Sequence, residues 1–217
     1  MGEFLKLDQR WIKEAGISTV IDVGAHAGQF SSAIRAVLPK AHIYAFEPLA
    51  DCCEKLRKRL GHYGRFQAFQ IALGDRSGPI NFWRSSFSKS SSVLPMADLH
   101  KESFPWSARM IPVTVQMETL DAYLDKMVMA PKVLLKIDVQ GYEDKVLRGA
   151  CGVLKRVDLV LVEVSFRHLY EGQPLFKEIY ELLSGAGFSY AGNLEQLVSP
   201  LDGSILQADA LFIRNSL

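Results

Sequence analysis

The chain has 217 residues, of which 48% are hydrophobic and 23% charged, a balance typical of one α/β domain with a full core. Its net charge of +1 argues against nucleic acid or an anionic membrane as the main partner. The N-terminus lacks the basic start and apolar core of a signal peptide, and no apolar run is long enough to span a membrane, so we expect a cytoplasmic protein.

Apolar runs alternate with helical spacing along nearly the whole chain. A helix is predicted within residues 3–15, followed by strands at 19–23, 42–46, 65–73, 79–84, 111–117, 133–139, 158–164, around 190 and at 208–213. Strands that alternate with helices predict a doubly wound α/β fold. We expect a single domain over residues 1–217, with a mostly parallel, seven-stranded sheet, helices on both faces and an antiparallel C-terminal edge strand.

The first predicted strand continues into a glycine turn that contains Gly24, Ala25, His26 and Gly28. A strand, a glycine turn and a helix N-terminus form a crevice for a nucleotide, because backbone can approach a ligand where side chains are absent. Asp22 argues against a pyrophosphate ligand, since a carboxylate would repel phosphate there. It suits a cationic ligand, and S-adenosylmethionine (SAM) carries both an ammonium and a sulfonium.

Glu47 ends the second predicted strand and is followed by Pro48. Folds of this type hold a ribose by its hydroxyls at that position. The alternative is a tight turn followed by an N-capping acid, which explains each piece but not their spacing. Ligands bind at the carboxyl ends of parallel strands, where Asp138 and Glu163 are also predicted to lie.

Residues 85–110 begin with a serine-rich stretch and show no regular pattern until about Met110. Loops of this length inside a compact domain are usually functional or disordered. Phe87, Phe104 and Trp106 argue against disorder, because they can be buried. We therefore expect a flap over the active site, with a plain surface connection as the alternative.

Several segments together resemble the FkbM family of SAM-dependent methyltransferases. They are Ile21-Asp22-Val23-Gly24-Ala25-x-x-Gly28, Phe46-Glu47-Pro48, Ala72-Leu73-Gly74-Asp75, Ser90-Ser91-Ser92 and Leu135-Lys136-Ile137-Asp138-Val139-x-Gly141-x-Glu143. The last segment is the most specific, and the resemblance covers residues 18–213. It implies a Rossmann-like class I methyltransferase that O-methylates a hydroxyl on a sugar, glycan or polyketide-type metabolite. The family commonly has Asn in place of His26 and Glu in place of Gln140.

The sequence thus predicts SAM as the cofactor and a small molecule or glycan as the acceptor. The residues expected to bind SAM are Asp22, Gly24, Ala25, His26, Gly28, Glu47, Pro48, Ala72, Leu73 and Asp138. His26 can donate a hydrogen bond to the methionine carboxylate of the cofactor. The oligomeric state stays open.

Methyl transfer to an alcohol needs a base, because the hydroxyl holds its proton at neutral pH. Asp138 ends the strand next to the SAM strand, Glu163 follows a buried strand, and His168 lies in the loop beyond it. The alternatives are an N-cap for Asp138, an ion pair with Lys136 or capping of Arg167 for Glu163, and plain exposure for His168. We expect no resident metal, although the acids would supply oxygen donors.

Two other functions stay open from the sequence. A non-catalytic protein of the same fold that only binds a ligand is compatible with His26 and Gln140. A nicotinamide-dependent oxidoreductase shares the topology, but Asp22 and the absence of a Tyr-x-x-x-Lys pair argue against it.

Overall fold

The computed structural model describes residues 10–215, so most of the helix predicted at 3–15 lies outside the described residues. Within residues 10–215 the strands are β1 (Thr19–Val23), β2 (His42–Phe46), β3 (Phe66–Phe69), β4 (Ala72–Leu73), β5 (Gly78–Ser85), β6 (Met110–Glu118), β7 (Val133–Ile137), β8 (Leu159–Ser165), β9 (Phe188–Val198) and β10 (Ile205–Arg214). The α-helices in the same range are α1 (Arg10–Glu14), α2 (Gln29–Val37), α3 (Ala50–Leu60), α4 (Asp98–Ser103), α5 (Glu143–Arg148), α6 (Cys151–Leu154) and α7 (Phe176–Gly185).

Seven of the described strands form the main sheet, in the order β3-β2-β1-β7-β8-β10-β9. β1 pairs in parallel with β2 and β7, and β7 pairs in parallel with β8. β10 is antiparallel to both of its neighbours. The predicted mostly parallel sheet with an antiparallel edge is therefore confirmed. The strand order reverses between β1 and β7, which is where such sheets open a ligand crevice.

The central strands β1 and β7 are buried at every position. Successive side chains of a strand point to opposite faces, so each strand supplies two separate hydrophobic layers. Ile21 and Val23 pack in one layer with α5 and α7, while Val20 packs in the other against Phe30 and Ile34 of α2. Burial of both faces explains why these strands are continuous apolar runs.

A second sheet of three described strands, β4-β6-β5, lies beside the main one. The single strand predicted over 65–73 is wrong, because the chain leaves the main sheet after β3 and pairs β4 with β6 instead. The predicted strands at 79–84 and 111–117 are confirmed as β5 and β6, which pair antiparallel. Arg84 of β5 donates two hydrogen bonds of 2.8 Å to the carboxylate of Asp51, which connects this sheet to α3.

Residues 85–110, called here the cover segment, connect β5 to β6. They contain α4 and the short 3₁₀ helices Ser88–Ser90 and Pro105–Ser107. Met96 packs in a buried cluster with Leu169, Tyr170 and Leu206. The cover segment is thus attached to the loop after β8 by apolar contacts.

Across residues 10–215, the structure contains no helix that is both long and apolar enough to cross a membrane.

The glycine turn brings the ends of β1 and β7 close together. Gly24 has a φ of +81°, and a Cβ atom added to it would lie 1.8 Å from the carbonyl oxygen of Asp138. Any side chain at this position would therefore meet both backbone strain and a steric clash. Gly16 also has a positive φ, +69°, but an added Cβ would have nothing within 4 Å.

We expect Gly24→Ala to lower the free energy of unfolding by about 2–5 kcal/mol, because strain and clash add. Gly16→Ala is the matched control, since it carries only the strain, about 1 kcal/mol. Urea denaturation followed by circular dichroism would measure both. Equal losses in the two variants would show that the contact between Gly24 and Asp138 does not require glycine.

Candidate active site

A cavity of about 510 Å³ opens at the carboxyl ends of the central strands. This volume is typical of a small-molecule site. Nine of the residues predicted from the sequence line it: Gly24, Ala25, His26, Glu47, Pro48, Ala72, Leu73, Asp138 and Glu163. Asp22, Gly28 and His168 are not part of its wall.

Asp22 lies behind the cavity, and its side chain is completely buried. Ser31 donates a hydrogen bond of 2.6 Å to Oδ2, and the ammonium of Lys136 lies 3.8 Å from Oδ1. Burial raises the pKa of Asp22, although Lys136 and Ser31 oppose the shift. The sequence predicts that this carboxylate contacts a cationic ligand directly. In the structure Asp22 does not reach the cavity, and its cationic neighbour is Lys136.

Gly28 and His168 also lie elsewhere. A Cβ added to Gly28 would be 2.7 Å from a methyl carbon of Leu56, so this glycine permits close packing of α2 on α3. His168 lines a separate pocket with Asp144 and Glu178. The loop after β8 carries His168 away from the strand ends and brings Tyr170 toward them instead.

Lys136 is a functional candidate that the sequence analysis did not single out. It lies in a strand buried on both faces, and its side chain is only 8% exposed. Its ammonium lies 3.0 Å from Oδ2 of Asp138. Burial alone would lower the pKa of Lys136, but the charges of Asp138 and Asp22 raise it above its ordinary value. A lysine inside a wholly buried run was the available signal, since such a charge must be paired.

Asp138 and Glu163 meet at the cavity wall. The amide nitrogen of Gln140 donates a hydrogen bond of 2.9 Å to Oδ1 of Asp138 and another of 2.8 Å to Oε2 of Glu163. Gln207 donates a further hydrogen bond of 2.7 Å to the same oxygen of Glu163. The two carboxyl groups are therefore joined by a neutral amide. The ion pair with Lys136, which was the alternative role for Glu163, is formed by Asp138 instead.

The environments of these two acids differ. Burial would raise the pKa of Asp138, but Lys136 and the hydrogen bonds from Gln140 and Lys136 outweigh it and lower the pKa overall. Burial raises the pKa of Glu163 well above its ordinary value, and the charges of Asp138 and Glu143 raise it further. Asp138 is thus the ionised member of the pair, while Glu163 holds a proton to higher pH.

Glu143 holds the turn that follows β7. Its Oε1 accepts 3.1 Å hydrogen bonds from the backbone N–H groups of Val139 and Gly141. Asp138 therefore does not cap α5, and its carboxylate remains at the cavity. Burial raises the pKa of Glu143 to about 7 despite these hydrogen bonds.

Glu47 is buried at the end of β2, and each of its oxygens accepts one backbone hydrogen bond. The backbone N–H of His26 donates a hydrogen bond of 2.9 Å to Oε2, and that of Leu49 donates one of 2.8 Å to Oε1. Burial raises the pKa of Glu47 to about 7, although the two hydrogen bonds lower it. A carboxylate oxygen has two lone pairs, so each oxygen keeps one acceptor site.

His26 has a φ of +49°, which is uncommon for a residue other than glycine. Its Nε2 lies 2.7 Å from the hydroxyl of Ser88, and its Nδ1 lies 3.3 Å from Oε1 of Gln29. Burial lowers the pKa of this imidazole. Both ring nitrogens thus have protein partners, and the ring connects the glycine turn to the cover segment.

The cover segment supplies a large part of the cavity wall. Its lining residues are Phe87, Ser88, Lys89, Ser90, Ser91, Val93, His100, Phe104 and Trp106. His100 is buried against Phe104 and Tyr170, and its Nδ1 has no hydrogen-bond partner within residues 10–215. Burial lowers its pKa to about 4, so this imidazole is neutral at pH 7. Nothing in the local sequence distinguishes His100 from an exposed loop histidine.

For the part of the chain that is described, no group of three or more His, Cys, Asp or Glu side chains is arranged to hold a metal ion.

Comparison with known proteins identifies several relatives. The chain is 28% identical to the 2-O-methyltransferase NoeI of Sinorhizobium fredii over 171 residues, 76% of this chain and 70% of that protein. It is 26% identical to the hexuronic acid methyltransferase AglP of Haloferax volcanii over 144 residues, 66% of this chain but only 54% of the relative.

Among solved structures, the fibrillarin pre-rRNA processing protein of Methanococcus jannaschii superposes with a TM-score of 0.50 and 13% identity, covering 93% of this chain and 68% of that one. At this identity the likeness concerns the fold alone. The sheet order and the antiparallel edge are those of the Rossmann-like class I methyltransferases, as predicted.

The family model described as the methyltransferase FkbM domain matches residues 22–190. That range contains the glycine turn, Glu47, the cover segment and the pair of Asp138 and Glu163. The chain belongs to the FkbM methyltransferase family.

Proposed function

We propose that the protein transfers the methyl group of SAM to a hydroxyl of a sugar, glycan or polyketide-type metabolite. The observation that carries the proposal is the pair of unlike carboxyl groups, Asp138 and Glu163, at the cavity wall beside the glycine turn. The names of two relatives, a 2-O-methyltransferase and a hexuronic acid methyltransferase, support a hydroxyl acceptor and a sugar.

The residues at the cavity fit SAM. The free acceptor site on each oxygen of Glu47 matches the two hydroxyls of a ribose. Leu49, Ile71 and Leu73 provide an apolar wall of the kind that an adenine ring needs. The ionised carboxylate of Asp138, 32% exposed, supplies negative charge for the cationic part of the cofactor.

In the transfer, the acceptor oxygen forms a bond to the methyl carbon while the carbon–sulfur bond breaks and its electron pair goes to sulfur. The acceptor proton must go to a base, which typically contributes about 10²–10⁴-fold to the rate. We assign this role to Glu163, because it lines the cavity and burial raises its pKa, so that it binds a proton more tightly than Asp138 does. Asp138 then stabilises the positive charge of the cofactor. His168 has no role in this scheme because it lies in a separate pocket.

The test is a mass-shift assay with SAM and a panel of neutral sugars, uronic acids and phenols. We expect one acceptor class to gain the mass of one CH₂ as S-adenosylhomocysteine forms. Glu163→Gln should lower turnover by about 10²-fold or more. Its melting temperature should hardly change, because the amide oxygen can accept the same hydrogen bonds from Gln140 and Gln207.

Two outcomes would contradict the proposal. If SAM binds but no acceptor gains mass and no S-adenosylhomocysteine forms, the protein is a non-catalytic binder. If Glu163→Gln turns over normally, the base has been assigned to the wrong residue. A titration with NADH in parallel would test the oxidoreductase alternative.

The pH dependence of SAM binding tests Glu47. Its pKa of about 7 means that the carboxylate is mostly protonated at pH 6 and mostly ionised at pH 8. Ribose hydroxyls donate to the ionised form, so affinity should rise about tenfold between these pH values. Glu47→Gln should bind SAM at least about tenfold more weakly at pH 8, and its affinity should lack the pH dependence that Glu47 contributes.

Isothermal titration of both proteins at the same series of pH values measures this effect. The protonation of SAM itself is common to the two proteins and cancels in the difference. Equal affinities of the two proteins across the series would remove Glu47 from the cofactor site.

The position of the cover segment predicts that it controls access to the site. We expect SAM together with an acceptor to protect the amides of residues 85–110 from hydrogen exchange, because lid motions are drawn from the less stable parts of a fold. Hydrogen-exchange mass spectrometry would measure this, with residues 176–185 of α7 as an internal reference. Unchanged exchange in the cover segment would make it a fixed wall.

A further inference from the structure

Gln140 occupies a central place in the active site. Its amide nitrogen uses both N–H groups, one on Asp138 and one on Glu163, at 2.9 and 2.8 Å. Its amide oxygen lies 2.8 Å from the hydroxyl of Tyr170, which donates to it. Every polar atom of the side chain therefore has a partner, and the orientation of the amide is determined by two acceptors on one side and a donor on the other.

The backbone of Gln140 is also held in place, by a hydrogen bond from the cover segment. Its φ is +58°, a left-handed conformation that is uncommon for a residue with a side chain and is often found at functional sites. Ser92 of the cover segment donates a hydrogen bond of 2.6 Å to its carbonyl oxygen. Tyr170 is completely buried, and its hydroxyl also lies 3.0 Å from the carbonyl oxygen of Ser90. The cover segment thus supports Gln140 directly through Ser92, and it also packs against Tyr170 through Met96.

An amide suits this position for a chemical reason. Acidic groups face Glu163 from several elements: Asp138 after β7, Glu143 of α5 and Asp209 of β10, with Tyr170 from the loop after β8. The opposing charge is the ammonium of Lys136, which bonds to Asp138. A carboxylate at position 140 would add a further acid and could not donate to either partner. An amide donates to both at once.

We propose that Gln140 is a positioning residue whose amide fixes Asp138 and Glu163 relative to each other, and that Tyr170 and Ser92 fix the amide in turn. Four hydrogen bonds of Gln140 join Ser92 of the cover segment, Tyr170 and the acid pair. The proposal rests on the proposed function for its role in turnover, but the coupling between the residues can be measured without turnover.

The first measurement is the titration of Glu163 by carbon-13 NMR of labelled carboxyl groups, assigned with Glu163→Gln. In Gln140→Ala the ionised form of Glu163 loses a hydrogen-bond donor, so its titration midpoint should move up by about one pH unit or more. Tyr170→Phe removes only a hydroxyl and should move the titration midpoint of Glu163 in the same direction by a smaller amount. Gln67→Ala, at an exposed position of β3, is the control and should leave it unchanged.

The second measurement is the pH profile of turnover. The base acts when ionised, so the rising limb of the profile lies at the pKa of Glu163 and should move to higher pH with the NMR midpoint. Turnover of Gln140→Ala at pH 7 should fall about tenfold or more and should recover at higher pH, where Glu163 ionises.

The outcomes separate the two proposals. If the wild-type protein shows no methyl transfer but the midpoint of Glu163 still moves in Gln140→Ala, the proposed function fails and the positioning role stands. If the wild-type protein turns over and both variants keep its midpoint and its pH profile, Gln140 has no positioning role. Tyr170→Phe decides the question by the same two readouts if Gln140→Ala does not fold.

Discussion

The site depends on the interaction of the buried Lys136 ammonium with the carboxylates of Asp22 and Asp138. The parallel register of β1 and β7 sets Lys136 directly beside Asp22, and the next turn places Asp138 3.0 Å from the same nitrogen. A single charge in the interior would be strongly unfavourable, whereas a cation between two acids is compensated. The sheet can bury this group only because both carboxylates are present. One of them stays inside the sheet, and the other reaches the cavity.

This arrangement explains why the acids at the strand ends differ in protonation. Asp138 shares the positive charge of Lys136 and stays ionised, while Glu163 and Glu47 contact mainly neutral donors and have raised pKa values. One acid can therefore stabilise a cation while another is matched to accept a proton. Pairs of carboxyl groups separated in this way recur in acid–base catalysis. A methyl transfer that brings a sulfonium beside an alcohol would use both.

The cover segment contributes through polar groups as well as through its aromatic side chains. The hydroxyl of Ser85 bonds to the backbone of residue 107, and that of Ser92 bonds to the backbone of Gln140, so the serine-rich composition serves to fix an irregular chain. Loops without regular structure need such partners for their backbone groups. Because the same segment contacts His26 and Tyr170, its position and the geometry of the site are coupled.

The sequence by itself determined the strands of the central sheet, the glycine turn and the presence of Glu47 and Asp138 at the cavity, because periodicity and the rule for parallel strands act locally. Only the tertiary structure decided which side chains meet. Asp22 and Lys136 are far apart in sequence and become neighbours through strand register, and Gln140 meets Glu163 through the pairing of β7 with β8. The departure of β4 into a second sheet and the displacement of His168 depend on the packing of distant segments, which local patterns do not encode.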